Sequence, residues 1–189
     1  MVIPLVTARP SEYVIGIEME DNMISFPVND TIDTGDVIIN YNNSNYTWNQ
    51  AIQYGLIWDE VWGWNPFTQQ DEQAFSFEGG RGYWVQSNVS CTFSIVGTST
   101  DGYITYMYEE WNRIGIPLNE EIPIEFLTFK LDNGTKYTWE QAEKWEIIIP
   151  FVYGWNVEEQ EYDVVDVIQP GQGYWMYAYY NCTVRYEPE

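Results

Sequence analysis

Short runs of β-branched and aromatic residues, each bounded by Asn, Asp, Gly or Pro, recur along the chain. In the first half they fall at residues 13–19, 23–28, 37–41, 60–64, 74–77, 83–86 and 91–95. Residues of this kind suit a pleated, half-buried surface, and runs of this length between turn residues predict strands. The same series returns near Tyr103, Arg113, Phe126, Phe151, Val164, Tyr174 and Thr183. One segment in each half breaks the pattern. Thr47-Trp48-Asn49-Gln50 and Thr138-Trp139-Glu140-Gln141 each fit a capping box, in which the Thr hydroxyl and the Gln side chain satisfy backbone N–H groups reciprocally. Each predicts a short helix. The expected fold is mainly β: two tandem homologous small modules, barrel-like or sandwich-like, each with one short helix.

The two halves are copies. Displacing the chain by 91 residues lays Tyr46-Thr47-Trp48 over Tyr137-Thr138-Trp139 and Gly63-Trp64-Asn65 over Gly154-Trp155-Asn156. It also lays Gly82-Tyr83-Trp84 over Gly173-Tyr174-Trp175 and Cys91-Thr92 over Cys182-Thr183. Over residues 46–92 this register gives 17 identities in 47 positions without a gap, which marks an internal duplication. Upstream the displacement is 90, with Asn22 over Asn112 and Pro27 over Pro117, so the second copy carries one extra residue before Tyr137. The expected organisation is an N-terminal extension (1–10), a first module (11–96), a linker (97–100) and a second module (101–189).

Composition narrows the function classes. At 45% hydrophobic and 18% aromatic residues the chain can build a substantial core. Its 29 acids against 7 bases give a net charge of -22. That balance repels phosphate, so neither nucleic acid nor an anionic membrane surface is an expected partner. No apolar stretch approaches the roughly 20 residues of a spanning helix, and direct membrane insertion is not expected. The absence of His removes the usual general base and the commonest transition-metal ligand, and two Cys cannot form a four-thiolate zinc site. Ser residues lack both a His partner and a Gly-x-Ser-x-Gly turn. The chain is therefore expected not to be an enzyme and to carry no resident cofactor. The acidic pairs Asp59-Glu60, Glu109-Glu110, Glu120-Glu121 and Glu158-Glu159 lack the spacing of a calcium loop, which leaves only weak calcium bridging in view.

Four features are candidates for chemistry. Pro170-Gly171-Gln172-Gly173-Tyr174-Trp175 places glycines at alternate positions, which suits a turn or a close backbone approach, or alternatively a ligand contact. Tyr174 and Trp175 should then face opposite sides of a strand, one buried and one partly exposed. Gly-Trp-Asn at 63–65 and 154–156 suits a strand end whose Asn closes a turn; its Trp is either a core ring or a stacking platform. If the rings are exposed, Trp62, Trp64, Trp84, Tyr153, Trp155, Trp175, Tyr177 and Tyr179 are the candidate sugar contacts. Cys91 and Cys182 occupy equivalent places, and a two-fold arrangement of the modules would let them form a disulfide; the alternative is two buried thiols. Asn-x-Ser/Thr triplets begin at Asn29, Asn42, Asn45, Asn88, Asn133 and Asn181. Composition alone would give about 1.5, so the excess suggests a glycosylated extracellular surface, although Asn, Ser and Thr also crowd into turns.

Trp111-Asn112-Arg113-Ile114-Gly115-Ile116-Pro117, Tyr153-Gly154-Trp155-Asn156 and Pro170-Gly171-Gln172-Gly173-Tyr174-Trp175-Met176-Tyr177 together resemble a repeated module of large archaeal and some bacterial cell-surface proteins, S-layer-like or adhesin-like. The resemblance covers both halves. The first departs from it, with Asp21-Asn22 for Trp-Asn and Gly79 for Pro. It implies location and a modular role, and carries over no site residues. The expected function is a structural or adhesive module of a larger extracellular protein, with other surface modules or glycans as partners. A carbohydrate-binding module and a calcium-bridged, self-assembling surface protein are the alternatives.

Overall fold

The computed structural model describes residues 10–100 and 102–186. The first nine residues of the expected N-terminal extension lie outside that range. The first module comprises β1 (Ser11–Ile17), β2 (Glu20–Ile24), β3 (Ile32–Asp33), β4 (Ile38–Tyr41), β5 (Ser44–Thr47), α1 (Trp48–Gln53), β6 (Ile57–Asn65), β7 (Gln70–Ala74), β8 (Ser76–Phe77), β9 (Tyr83–Ser87) and β10 (Cys91–Gly97). The second repeats it: β11 (Tyr103–Met107), β12 (Glu110–Ile114), β13 (Ile122–Pro123), β14 (Thr128–Leu131), β15 (Lys136–Thr138), α2 (Trp139–Lys144), β16 (Val152–Asn156), β17 (Glu161–Val165), β18 (Val167–Ile168), β19 (Tyr174–Ala178) and β20 (Cys182–Tyr186).

In each module two open, four-stranded antiparallel sheets enclose one core. Their orders are β1-β10-β4-β5 and β2-β9-β6-β7 in the first, β11-β20-β14-β15 and β12-β19-β16-β17 in the second. A two-stranded piece, β3-β8 or β13-β18, completes each. The modules are thus sandwich-like, and none of these sheets closes into a barrel. Alternation drives the packing: in β9 and β19 the inward residues Tyr83, Val85, Tyr174 and Met176 are buried, while Trp84 and Trp175 face outward and are half-buried. The core of the first module gathers Ile17, Ile39, Val61, Phe77 and Phe93 around Trp48; that of the second gathers Met107, Phe129, Val152 and Val184.

Both helices begin at the capping boxes. Gln50 N–H donates to the Thr47 hydroxyl and Gln141 N–H to the Thr138 hydroxyl, each at 3.3 Å. The return bonds from the backbone of Thr47 and Thr138 to the Gln side chains are 3.0 Å. The extra residue of the second module lies in a hairpin. Asn42 and Asn43 turn β4 into β5 with φ of 48° and 60°, the two-residue geometry that suits twisted strands. In the second module Leu131 N–H donates to the Thr135 carbonyl and closes a three-residue turn, with Gly134 at φ +89°.

Some strands have no apolar signature. β7 is Gln-Asp-Glu-Gln-Ala, exposed along nearly its whole length, because it is a sheet edge whose charge discourages pairing with another chain. Phe126 lies in a 3₁₀ turn, Ile124–Phe126, rather than a strand, and is exposed. The bend from β1 to β2 is held by Asn22, whose side chain accepts from Glu18 N–H at 2.9 Å and donates to the carbonyls of Glu18 and Glu20. Asn112 does the same with Tyr108 and Glu110. Both Asn side chains are buried, so this repeated residue is architectural.

The expected disulfide is not formed. Cys91 and Cys182 are free thiols, each buried in the core of its own module. The modules do meet in a two-fold manner, but through β2, β12 and the turns before β9 and β19. The strands β10 and β20 belong to the other sheets, and their Cys side chains point inward. Burial pushes the Cys91 thiol up and the Cys182 thiol up to about 12, so neither is a ready nucleophile.

Candidate functional site

The modules join along a seam in which nearly every contact occurs twice. Trp64 Nε1 donates to the Trp111 carbonyl at 2.9 Å, and Trp155 Nε1 donates to the Asp21 carbonyl at 2.8 Å. Gln69 bridges to the backbone of Trp111, and Gln160 to that of Asp21. Trp64 packs edge-to-face on Trp175 with ring centres 4.6 Å apart, and Trp84 on Trp155 at 4.8 Å. Each pair links positions that the duplication makes equivalent, so the interface is self-complementary like that of a symmetric dimer.

The Gly-x-Gly motifs make the backbone part of this seam. Gly82 N–H donates to the Arg113 carbonyl at 3.3 Å, and Gly173 N–H to the Met23 carbonyl at 2.9 Å. The reverse bonds run from Gly115 to the Gly80 carbonyl and from Ser25 to the Gly171 carbonyl, each at 3.1 Å. A Cβ on Gly82 would stand 2.9 Å from the Ile114 carbonyl oxygen; one on Gly173 would stand 2.9 Å from Met23 Cγ. Of the readings open for this motif, close backbone approach is the one realised. The linker is held as well: Thr98 carbonyl accepts from Asn29 N–H, and Thr100 N–H donates to the Pro117 carbonyl.

The symmetry breaks where a buried charge enters. Where the first module has Met23, the second has Arg113, whose side chain is buried. Its guanidinium donates to the Trp62 carbonyl at 2.8 Å and is ion-paired with Asp71. It lies 4.7 Å from the centre of the Trp175 ring, 5.8 Å from Trp64 and 5.9 Å from Trp84. Burial lowers its pKa and the Asp71 carboxylate opposes that shift. Sequence reasoning missed Arg113 as a keystone; its signal is a lone basic residue standing where the other copy has Met.

The candidate sugar contacts divide between the seam and the free surface. Trp64, Trp84, Trp155 and Trp175 are half-buried and spend one edge or face on the seam. Tyr153 and Tyr177 are half-buried beside Trp111, at ring distances of 6.0 and 5.3 Å, and Tyr179 continues from Tyr177 at 5.1 Å. Trp62 and Tyr179 are exposed, at 40% and 41%. The rings form no flat row, because neighbours stand nearly perpendicular. Trp64 and Trp155 are thus neither core rings nor free platforms. The Asn residues beside them close turns: Asn65 Oδ1 accepts from Phe67 and Thr68, Asn156 Oδ1 from Glu158 and Glu159.

Several clefts open beside the seam, and two of them are walled by outward-facing rings. The larger, of about 450 Å³, is lined by Trp64, Trp111, Tyr153, Tyr162 and Trp175. Trp175 Nε1 donates to the Tyr162 hydroxyl at 3.1 Å across it. The smaller, of about 280 Å³, is lined by Asp21, Trp58, Glu60, Trp62, Trp84, Val85 and Gln86. Trp58, Trp111 and Tyr162 were not among the candidate contacts; nothing beside Trp58 or Tyr162 sets them apart from other strand aromatics, and the motif around Trp111 carried no ligand role.

The Asn of all six glycosylation triplets is exposed. Three already make side-chain hydrogen bonds: Asn133 Oδ1 accepts from Thr135 N–H within a turn, Asn181 Oδ1 accepts from Glu109 N–H, and Asn88 joins Trp58 to the Gly55 carbonyl. Among the described residues no three Asp, Glu or Cys side chains converge as a metal cage, and no helix is long and apolar enough to cross a membrane. Compared with known proteins, the chain matches no family model, no curated protein sequence and no solved structure.

Proposed function

We propose that this chain is a non-catalytic structural and adhesive building block of a larger extracellular, cell-surface protein. The observation that carries the reading is the reciprocal seam. Ring pairs, backbone bonds in both directions and a tethered linker hold two modules as one body, which is what a load-bearing or spacing element needs and a flexible tether is not. The charge of -22 keeps such a surface hydrated and self-repelling. The Asn of all six triplets lies on the surface, where a glycan would have to be attached.

The test is location. Protease treatment of intact cells of the source organism, followed by peptide mass spectrometry, should release peptides of this chain together with peptides of a longer polypeptide that contains it. Recovery of the native protein only from the cytosolic fraction would overturn the reading.

A further inference from the structure

We propose that the two ring-walled clefts beside the seam are paired subsites for a neutral sugar chain. The proposal deepens the adhesive reading and rests on it only for biological context; the binding itself is a property of the purified chain.

The clefts share three equivalent positions. Tyr153 and Trp175 in the larger correspond through the duplication to Trp62 and Trp84 in the smaller, and Trp111 corresponds to Asp21. Both copies keep an aromatic pair at the same place on an outward sheet face, although only 17 of 47 residues are identical over 46–92. The seam accounts for Trp84 and Trp175. It does not account for the Trp62 ring, which is 40% exposed. Large rings held in water beside a concavity mark a binding surface.

The chemistry of the rims selects the ligand. A pyranose offers an apolar C–H face to a ring and hydroxyls around its edge that donate hydrogen bonds. The smaller cleft supplies Trp58, Trp62 and Trp84 as faces, with Asp21, Glu60 and Gln86 as acceptors. The larger supplies five rings with the Tyr153 and Tyr162 hydroxyls on them. A proline-rich peptide needs the opposite, donors for its carbonyls. Three of the six indole N–H groups that line the clefts, those of Trp58, Trp64 and Trp175, are already given to Asn88, Trp111 and Tyr162. Acidic glycans meet carboxylates in the smaller cleft and a net charge of -22 overall. A cationic ligand stacking on Trp175 meets the Arg113 guanidinium, already 4.7 Å from that ring.

The experiment is a titration of the full chain, followed by Trp fluorescence and calorimetry. The probes are neutral hexasaccharides built from glucose, mannose, galactose, xylose or N-acetylglucosamine, beside a proline-rich peptide and a uronate oligomer as comparators. At least one neutral hexasaccharide should bind saturably, while the uronate oligomer does not. Trp62→Ala and Tyr153→Ala should each weaken that binding about ten-fold, the loss of one stacked ring, with an unchanged unfolding midpoint. Glu60→Gln, at an exposed position, should weaken it several-fold and serves if an aromatic variant fails to fold. No binding across the neutral panel, binding indifferent to all three changes, or preference for the peptide or the uronate overturns the proposal. None of these outcomes bears on where the protein resides, so the location experiment fails or succeeds separately.

Discussion

Arg113 and Asp71 face each other across the seam, and removing either should have unequal effects. The Arg113 side chain is 0% exposed and that of Asp71 is 49% exposed. Asp71→Ala leaves a guanidinium in the seam with the Trp62 carbonyl and three Trp rings but no counter-charge. Breaking a buried pair in this way costs about 3–5 kcal/mol. Because Asp71 is half in water, solvent replaces part of its charge and about 2–3 kcal/mol is expected. Arg113→Met removes the buried charge itself and lets Asp71 return to water. The Met would copy Met23, which packs against Gly173 as the Arg113 stem packs against Gly82. Lost are one hydrogen bond to the Trp62 carbonyl and the contacts with the rings, together about 1–2 kcal/mol. For a chain of this size each kcal/mol moves Tm by about 2–4 °C. Thermal and urea unfolding of both single variants and the double variant therefore rank them: Asp71→Ala lowest, Arg113→Met higher, the double variant close to Arg113→Met alone. A double variant that loses the sum of the single effects would show that the two residues act independently. Arg113→Met below Asp71→Ala would refute the assignment of the cost to an orphaned buried charge.

Gly82→Ala and Gly173→Ala should each destabilise by about 1–3 kcal/mol, since a Cβ there meets the other module at 2.9 Å; Gly16→Ala, with open space around it, is the control. Equal urea midpoints for all three would sink the close-approach reading. Thr47→Ala and Thr138→Ala should each cost about 1 kcal/mol through loss of the caps, and a midpoint within error of wild type would count against it. Burial raises Tyr83, Tyr174 and Cys182 to about 12 in the folded chain. Protons held more tightly when folded stabilise fully below the unfolded values near 9–10, and that stability is lost as pH rises toward 12. Urea midpoints should thus fall steeply above pH 9, and a flat profile to pH 11.5 contradicts the burial of these groups. Under native conditions a thiol reagent should label neither Cys91 nor Cys182, while two equivalents react after denaturation; one intramolecular disulfide by mass would reverse that assignment.

Much of the fold was written locally. The register of the repeat, the capping boxes at Thr47 and Thr138, the turn-closing Asn65 and Asn156 and the extra hairpin residue all rest on contacts within a few positions, which spacing reveals. That Tyr174 and Trp175 face opposite sides follows from strand alternation alone, although which of them is buried does not. The edge strand β7 was not legible, because an exposed strand is held by backbone pairing and Gln-Asp-Glu-Gln carries no hydrophobic pattern.

What only the tertiary structure decided is how the two copies meet. An offset of 91 residues says that two modules exist but not which sheets face each other, and that choice sets the fate of each functional candidate. It left Cys91 and Cys182 in separate cores, and made Gly82 and Gly173 a dovetail. It turned Trp64 and Trp155 into seam rings, and brought Arg113 against Asp71 from the other module. The physical reason is range. Strand period, caps and turns are set by neighbours along the chain, whereas ring packing and a buried ion pair depend on surfaces that only the folded chain brings together.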